Sequence, residues 1–122
     1  MTKKMILSVD DSASIRQMVA LTLERNGYAV TQAADGREAL TRLRGGGIDM
    51  IITDINMPNM NGIELVRQVR ALPGFKYVPI VMLTTESEES KKQEGRAAGA
   101  TAWIVKPFNQ EQLVAVVKKV LG

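Results

Sequence analysis

Five short apolar runs alternate with longer segments of helical spacing, and this alternation limits the possible folds more than any other feature of the 122-residue chain. The apolar runs are typical of strands covered on both faces. They lie at 5–9, 28–33, 50–53, 80–83 and 102–105. The helical segments between and after them are predicted at 13–26, 36–44, 62–72, 87–98 and 109–121.

Capping residues support these helix boundaries. Ser12, Asn61 and Asn109 can cap the first, third and fifth helices, and Gly27 and Gly99 follow the first and fourth. No linker or composition break interrupts the strand-then-helix repeat. The sequence therefore predicts an α/β fold, a doubly wound five-stranded parallel sheet with right-handed crossovers and helices on both faces.

Polar side chains follow four of the five predicted strands. In a parallel sheet they all project from the carboxyl edge, where ligands bind at the point at which strand order reverses. The second strand ends in "AADG" without an obvious reactive group, which favours an outer position and the strand order 2-1-3-4-5. The polar exit residues are Asp10 and Asp11 after the first strand, Asp54 after the third, Thr84 and Thr85 after the fourth, and Lys106 after the fifth.

The three carboxylates at this edge would repel one another by about 4 kcal/mol per pair at 4 Å and an effective dielectric near 20. A cation is expected between them, and Mg²⁺ fits a set of oxygen ligands best. With Lys106 and a hydroxyl nearby, such a pocket suits phosphoryl transfer, and one carboxylate could be the nucleophile. Each feature alone is common at helix caps and turns, but chance does not readily place all of them at four strand exits of one sheet.

Composition excludes several other classes of function. The chain has no cysteine and no histidine, which rules out disulfides, thiolate metal sites and Ser-His-Asp catalysis. Its 16 basic and 13 acidic residues give a net charge of +3, but the basic residues are scattered, so a nucleic-acid partner is not expected. No apolar run approaches the roughly 18 residues of a membrane span or forms a signal peptide, so a cytoplasmic protein without membrane contact is expected.

The residues at these strand exits resemble the receiver domain of bacterial two-component response regulators. The matching patterns are "VDDS" at 9–12, "DINMPNMNG" at 54–62, "LTTE" at 83–86 and "KPF" at 106–108. The resemblance covers residues 1–122, so no output domain is expected. It is closest to single-domain, CheY-like chemotaxis regulators, which implies a flavodoxin-like fold and a monomer.

The resemblance implies a role for each acidic residue of the pocket. Asp54 would be the phosphoacceptor, and Asp11 and Asp54 would bind Mg²⁺ directly. Asp10 would act on the metal mainly through water. Asn56 would offer its backbone carbonyl to the same ion.

The resemblance also implies how phosphorylation is sensed. Thr84 would hydrogen-bond a phosphoryl oxygen, and Lys106 would pair with it. Trp103 stands where the family keeps a switch aromatic, which is usually Tyr or Phe. The Lys106–Pro107 bond is expected to be cis.

These roles imply a phosphoprotein of a two-component phosphorelay, controlled by a partner histidine kinase. The kinase would phosphorylate Asp54, and the altered surface would bind a protein target through the face formed by the fourth helix, fifth strand and fifth helix. A phosphatase is a further expected partner. The protein would assist its own phosphorylation and dephosphorylation without being an enzyme. The fourth helix should be the least stable, because only Gly95, Ala97 and Ala98 offer it an inner face.

Three alternatives remain from the sequence. A phosphate sink or phosphorelay intermediate would use the same residues without binding a target. An aspartate-nucleophile phosphatase of the haloacid dehalogenase type would also use Asp and Mg²⁺, but it requires D-x-D where this chain has adjacent acids. A flavodoxin-like FMN binder is disfavoured, because the first loop carries two negative charges where phosphate would lie.

Overall fold

The computed structural model describes residues 3–85 and 89–121, and it contains one five-stranded parallel sheet in the order β2-β1-β3-β4-β5. The predicted fold class and strand order are therefore confirmed. The strands are β1 (Met5–Val9), β2 (Ala29–Ala33), β3 (Met50–Asp54), β4 (Ile80–Thr85) and β5 (Ala102–Lys106). The helices are α1 (Ala13–Arg25), α2 (Gly36–Arg44), α3 (Gly62–Ala71), α4 (Glu89–Ala98) and α5 (Gln110–Leu121).

Three strands extend further than their apolar runs predicted. The parallel ladder continues through polar residues, pairing Asp54 with Leu83 and Thr85 with Lys106. Asp54, Thr84, Thr85 and Lys106 therefore stand on the last residues of their strands, whereas Asp10 and Asp11 follow the end of β1. The helix ends agree with prediction to within one residue, except that residues 87 and 88 of the predicted fourth helix lie outside the described part of the chain.

Two apolar cores lie on opposite faces of the sheet. One packs α2 and α3 against the sheet, and the other packs α1 and α5 against it. Both faces of β1 and β3 are covered, which explains why these strands are continuous apolar runs without alternation. Buried residues that fill the cores include Leu7, Ile51, Leu65 and Val66 on the first face and Ile6, Leu23, Ile52 and Leu113 on the second.

Side-chain caps begin four helices. Ser12 and Asn61 accept hydrogen bonds from the backbone of α1 and α3 as predicted, and Asn109 exchanges hydrogen bonds with Gln112 at the start of α5. A further cap was not predicted. Asp35 accepts a hydrogen bond from the Glu38 amide at the start of α2, and the Glu38 carboxylate accepts one from the Ala34 amide, both at 2.8 Å.

Helix α4 has fewer buried residues than any other helix in the described part of the chain. Of its ten residues only Gly95 is buried. An added Cβ at Gly95 would lie 2.9 Å from the Met82 sulfur, so the backbone of α4 approaches the sheet closely there. Ala98 is half-buried as expected, but Ala97 is exposed, which corrects its predicted place on the inner face.

No helix in the described part of the chain is long and apolar enough to cross a membrane.

Candidate functional site

Asp54 ends the central strand β3 and is only 8% exposed. One carboxylate oxygen, Oδ1, accepts a hydrogen bond from the Ile55 amide at 2.9 Å. The Lys106 ammonium lies 3.1 Å from the same oxygen. Lys106 ends β5, so the ammonium reaches this carboxylate from a strand two places away from β3 in the sheet.

Asp10 and Asp11 complete an acidic cluster beside Asp54. One carboxylate oxygen from each of the three residues lies within 4.8 Å of the others. Asp10 is buried and Asp11 is exposed. Asp10 Oδ1 accepts a hydrogen bond from the Ser12 amide at 2.9 Å, and its Oδ2 lies 3.8 Å from the Lys106 ammonium.

The three carboxylates of the cluster are not fully neutralised by the Lys106 ammonium. Burial raises the pKa of Asp10 above its ordinary value, and the negative charge of Asp54 raises it further, while the Ser12 hydrogen bond opposes both. The buried Oδ2 of Asp10 accepts no hydrogen bond. A buried carboxylate oxygen without a hydrogen bond is unfavourable, and the Lys106 ammonium, 3.8 Å away and beyond hydrogen-bond distance, compensates it only in part. The all-oxygen donor set and this unsatisfied atom fit a hard divalent cation such as Mg²⁺.

Thr84 and Asn56 lie on the same edge of the sheet. Thr84 is buried near the end of β4, where its hydroxyl donates a hydrogen bond to the Thr85 carbonyl at 3.3 Å. Asn56 is exposed, two residues after Asp54 on the connection to α3. The structure thus brings all the residues predicted for phosphoryl chemistry to the carboxyl edge.

Trp103 lies on β5 beneath α4, three residues before Lys106. It pairs with Met82 of β4, and its ring lies 3.7 Å from the position of a Cβ at Gly95. The Arg96 guanidinium lies 5.1 Å from the ring centre, within range of a cation–π contact. The indole nitrogen is buried without a hydrogen-bond partner. Trp103 therefore contacts α4, the helix with the fewest buried residues among those described.

The Lys106–Pro107 bond is cis, as expected.

Arg16 on α1 is a residue beside the site that the sequence did not indicate. Its Nη1 donates a hydrogen bond to the Asp10 carbonyl at 2.6 Å, and its Nε donates one to Gln32 Oε1 at 3.2 Å. The contact joins residues six apart through a backbone oxygen, and no motif in the sequence marks such a contact.

The doubly wound parallel sheet, with an acidic cluster and a lysine at its carboxyl edge, is the arrangement that the sequence resemblance implied. The family model for the response regulator receiver domain matches residues 6–118. The chain belongs to that family.

Curated relatives include both single-domain and longer proteins. Chemotaxis protein CheY1 of Helicobacter pylori strain J99 is 42% identical, with 96% of each chain covered. The transcriptional regulatory protein ResD of Bacillus subtilis is 41% identical over 95% of this chain, which spans only 47% of the length of ResD.

Solved structures agree with the fold. Chemotaxis protein CheY4 of Vibrio cholerae superposes with a TM-score of 0.94 at 53% identity, covering 98% of this chain and all of that one. The receiver domain of sensor histidine kinase PA1611 from Pseudomonas aeruginosa, solved with magnesium in its active-site cleft, gives a TM-score of 0.90 at 27% identity and covers 99% of each chain.

Proposed function

We propose that this receiver domain is a phosphorylation-controlled binding module in which a partner histidine kinase phosphorylates Asp54. The observation that carries the proposal is the surroundings of the Asp54 carboxylate. It ends the central strand with the Lys106 ammonium 3.1 Å away and the carboxylates of Asp10 and Asp11 beside it. This arrangement combines a fixed nucleophile with positive charge that can meet the incoming phosphoryl oxygens.

The transfer step requires no redox partner. A carboxylate oxygen of Asp54 attacks the phosphorus of a phosphohistidine, the P–N bond breaks, and the electron pair returns to the imidazole, which takes up a proton. Lys106 offsets the charge of the phosphoryl oxygens, and the Thr84 hydroxyl donates a hydrogen bond to one of them. Mg²⁺ bound by Asp11, Asp54 and the Asn56 carbonyl, with Asp10 acting through water, would neutralise further charge on those oxygens.

Phosphorylation is reversible in the same pocket, because water can attack the acyl phosphate and regenerate the Asp54 carboxylate. The protein is then a phosphoacceptor consumed once per transfer and not an enzyme with a separate substrate. A phosphatase would act on this same bond. The longer the bond lasts, the longer the altered surface persists.

An apolar hollow of about 410 Å³ beside Lys106 supports a protein phosphodonor. It opens next to the proposed reaction centre, so a helix of a kinase could place its phosphohistidine against Asp54. The residues that line it include Ile15, Met18, Pro107 and Phe108.

The target is proposed to bind the face formed by α4, β5 and α5. Thr84 lies one residue before the end of β4, which pairs with β5, and Trp103 lies on β5 under α4. Movement of Thr84 toward a phosphoryl group would change the packing around Trp103. The likeness to CheY proteins makes chemotaxis the proposed pathway and the cytoplasm the proposed location.

The first test is phosphorylation by acetyl phosphate with Mg²⁺, read by mass spectrometry of the intact protein. The wild type should gain one phosphoryl group and Asp54→Asn none. Asp49→Asn is the matched control, because the Asp49 carboxylate accepts a hydrogen bond from the Met5 amide at the start of β1, the other end of the strand, and its change should not alter labelling. Labelling of Asp54→Asn at the wild-type level would refute the proposal.

The second test separates a signalling module from a phosphate sink. Protein partners are captured with and without beryllofluoride, which mimics the phosphoryl group, and a signalling module should gain a target. Lys106→Ala and Thr84→Ala should still accept phosphate but lose this gain. Capture of no target by the beryllofluoride form would favour the phosphate sink.

A further inference from the structure

We propose that Arg16 is a positioning residue of the cation site. Through its hydrogen bond to the Asp10 carbonyl, it holds the peptide that links Asp10 to Asp11 and so directs the Asp11 carboxylate into the cluster. This inference rests on the proposed function, in which Asp11 binds Mg²⁺ directly.

The guanidinium of Arg16 is fixed at two points. Its Nε donates to Gln32 Oε1 on β2 at 3.2 Å, and its Nη1 reaches past the end of β1 to the Asp10 carbonyl at 2.6 Å. The backbone of Arg16 is also held, since its amide donates to the Ser12 carbonyl in the first turn of α1 at 3.0 Å. Arg16 thus connects α1, β2 and the end of β1.

The Asp10 carbonyl controls the next residue because a peptide unit is planar. Fixing the oxygen of that unit fixes the nitrogen and Cα of Asp11 as well. The Asp10 amide already donates to the Ala33 carbonyl at 3.2 Å, and its carboxylate accepts from Ser12. Asp11 itself is exposed, so packing cannot set its direction. The orientation of this one peptide is therefore what aims the Asp11 carboxylate.

The positive charge of Arg16 and its hydrogen bonds act on Mg²⁺ binding in opposite directions. Both of its hydrogen-bond acceptors are neutral, and across residues 3–85 and 89–121 no carboxylate forms an ion pair with it. Its charge therefore repels a cation at the cluster. Removing Arg16 would tighten Mg²⁺ binding if charge dominated, and would weaken it if positioning dominated.

The test compares Arg16→Met with wild type. Met keeps much of the apolar stem but removes both hydrogen bonds and the charge. The dissociation constant for Mg²⁺ is measured from the rise in melting temperature with Mg²⁺ concentration. We expect it to increase about 10-fold, as is typical when a group that orients a metal ligand is lost. Arg25→Met, an exposed arginine of the same helix, is the control and should leave it unchanged.

Phosphorylation by acetyl phosphate gives a second readout. The Mg²⁺ concentration for half-maximal rate should rise by the same factor in Arg16→Met, while the rate at saturating Mg²⁺ stays close to that of wild type. If Arg16→Met does not fold, Arg16→Gln carries the same test with the same expected direction.

An unchanged or lower dissociation constant in the variant would overturn the inference, even if the melting temperature without metal falls. That result would mean that Arg16 only fastens α1 to the sheet. Failure of the proposed function would look different, because the wild type itself would then neither respond to Mg²⁺ nor accept a phosphoryl group.

Discussion

Two charged side chains at opposite ends of the sheet are withdrawn from water, but their surroundings differ. Arg70 lies in the last turn of α3 and donates four hydrogen bonds to backbone carbonyls of the loops that lead into β4 and β5. These acceptors are Gly99 at 3.1 and 2.7 Å, Phe75 at 3.0 Å and Val78 at 2.7 Å. Asp10 lies at the carboxyl end and leaves one buried oxygen without a hydrogen bond.

The difference separates a buried charge whose lost hydration is replaced by hydrogen bonds from one for which it is replaced only in part. Burial moves both groups toward their neutral forms, lowering the pKa of Arg70 and raising that of Asp10. The carbonyls around Arg70 compensate its lost hydration, whereas Asp10 lies beside another carboxylate. An uncompensated buried charge is unfavourable for folding and typical of functional sites.

The largest effect on stability is expected from Arg70→Met. It removes all four hydrogen bonds and unties the loops before β4 and β5, so the free energy of unfolding should fall by about 3 kcal/mol. Urea denaturation measures the change. Arg67→Met is the matched control on the same helix, because Arg67 is exposed and should alter stability by less than about 0.5 kcal/mol. Equal effects of the two variants would show that the hydrogen bonds of Arg70 do not support the fold.

At the carboxyl end of the sheet, removal of a charge is expected to raise the free energy of unfolding. Without divalent cations, Asp10→Asn should raise the free energy of unfolding by about 1 kcal/mol, because it removes a buried charge and can keep the hydrogen bond from the Ser12 amide. Urea denaturation in EDTA tests this. A loss of stability in EDTA would mean that the contact with Lys106 compensates Asp10 fully.

The pH dependence of this gain gives a finer test. The pKa of Asp10 is raised in the folded state, so the native protein holds the proton more tightly than the unfolded chain. The stability that this tighter proton binding adds is complete when the pH is below the ordinary pKa of 3.8, and it is lost as the pH rises through the folded pKa. The advantage of Asp10→Asn over wild type in EDTA should therefore grow across that window. A constant advantage would show that its origin is packing and not ionisation.

Side chains that project from strand ends were predictable from the sequence, because a parallel sheet brings all its carboxyl ends to one edge. That rule alone places Asp10, Asp11, Asp54 and Lys106 together. The lack of a reactive side chain after β2 predicted the outer position of that strand. The roles of these residues in phosphorylation came from the family resemblance and not from spacing.

The two arginines could not be predicted in the same way. Four of the five atoms that accept hydrogen bonds from Arg16 and Arg70 are backbone carbonyl oxygens, which any residue type supplies. The inner face of α4 was only partly predicted, because three small residues determine the rotation of a short polar helix poorly. Ala97 is accordingly exposed, while Gly95 makes the close contact with the sheet.

The smallest effect on metal-free stability is expected from Asp11→Asn, which separates burial from ligand binding within one cluster. Asp11 is exposed, so its charge is hydrated and its removal should change the free energy of unfolding in EDTA by less than about 0.5 kcal/mol. Its effect with Mg²⁺ should be much larger. A ligand that binds only the native state at ten times its dissociation constant stabilises it by about 1.4 kcal/mol, and Asp11→Asn should lose most of that gain. Melting curves with and without Mg²⁺ give both values, with Asp35→Asn at the start of α2 as a control that keeps the response. If Asp11→Asn responds to Mg²⁺ like wild type, Asp11 is not a ligand, and the ion must be held by the other carboxylates of the cluster.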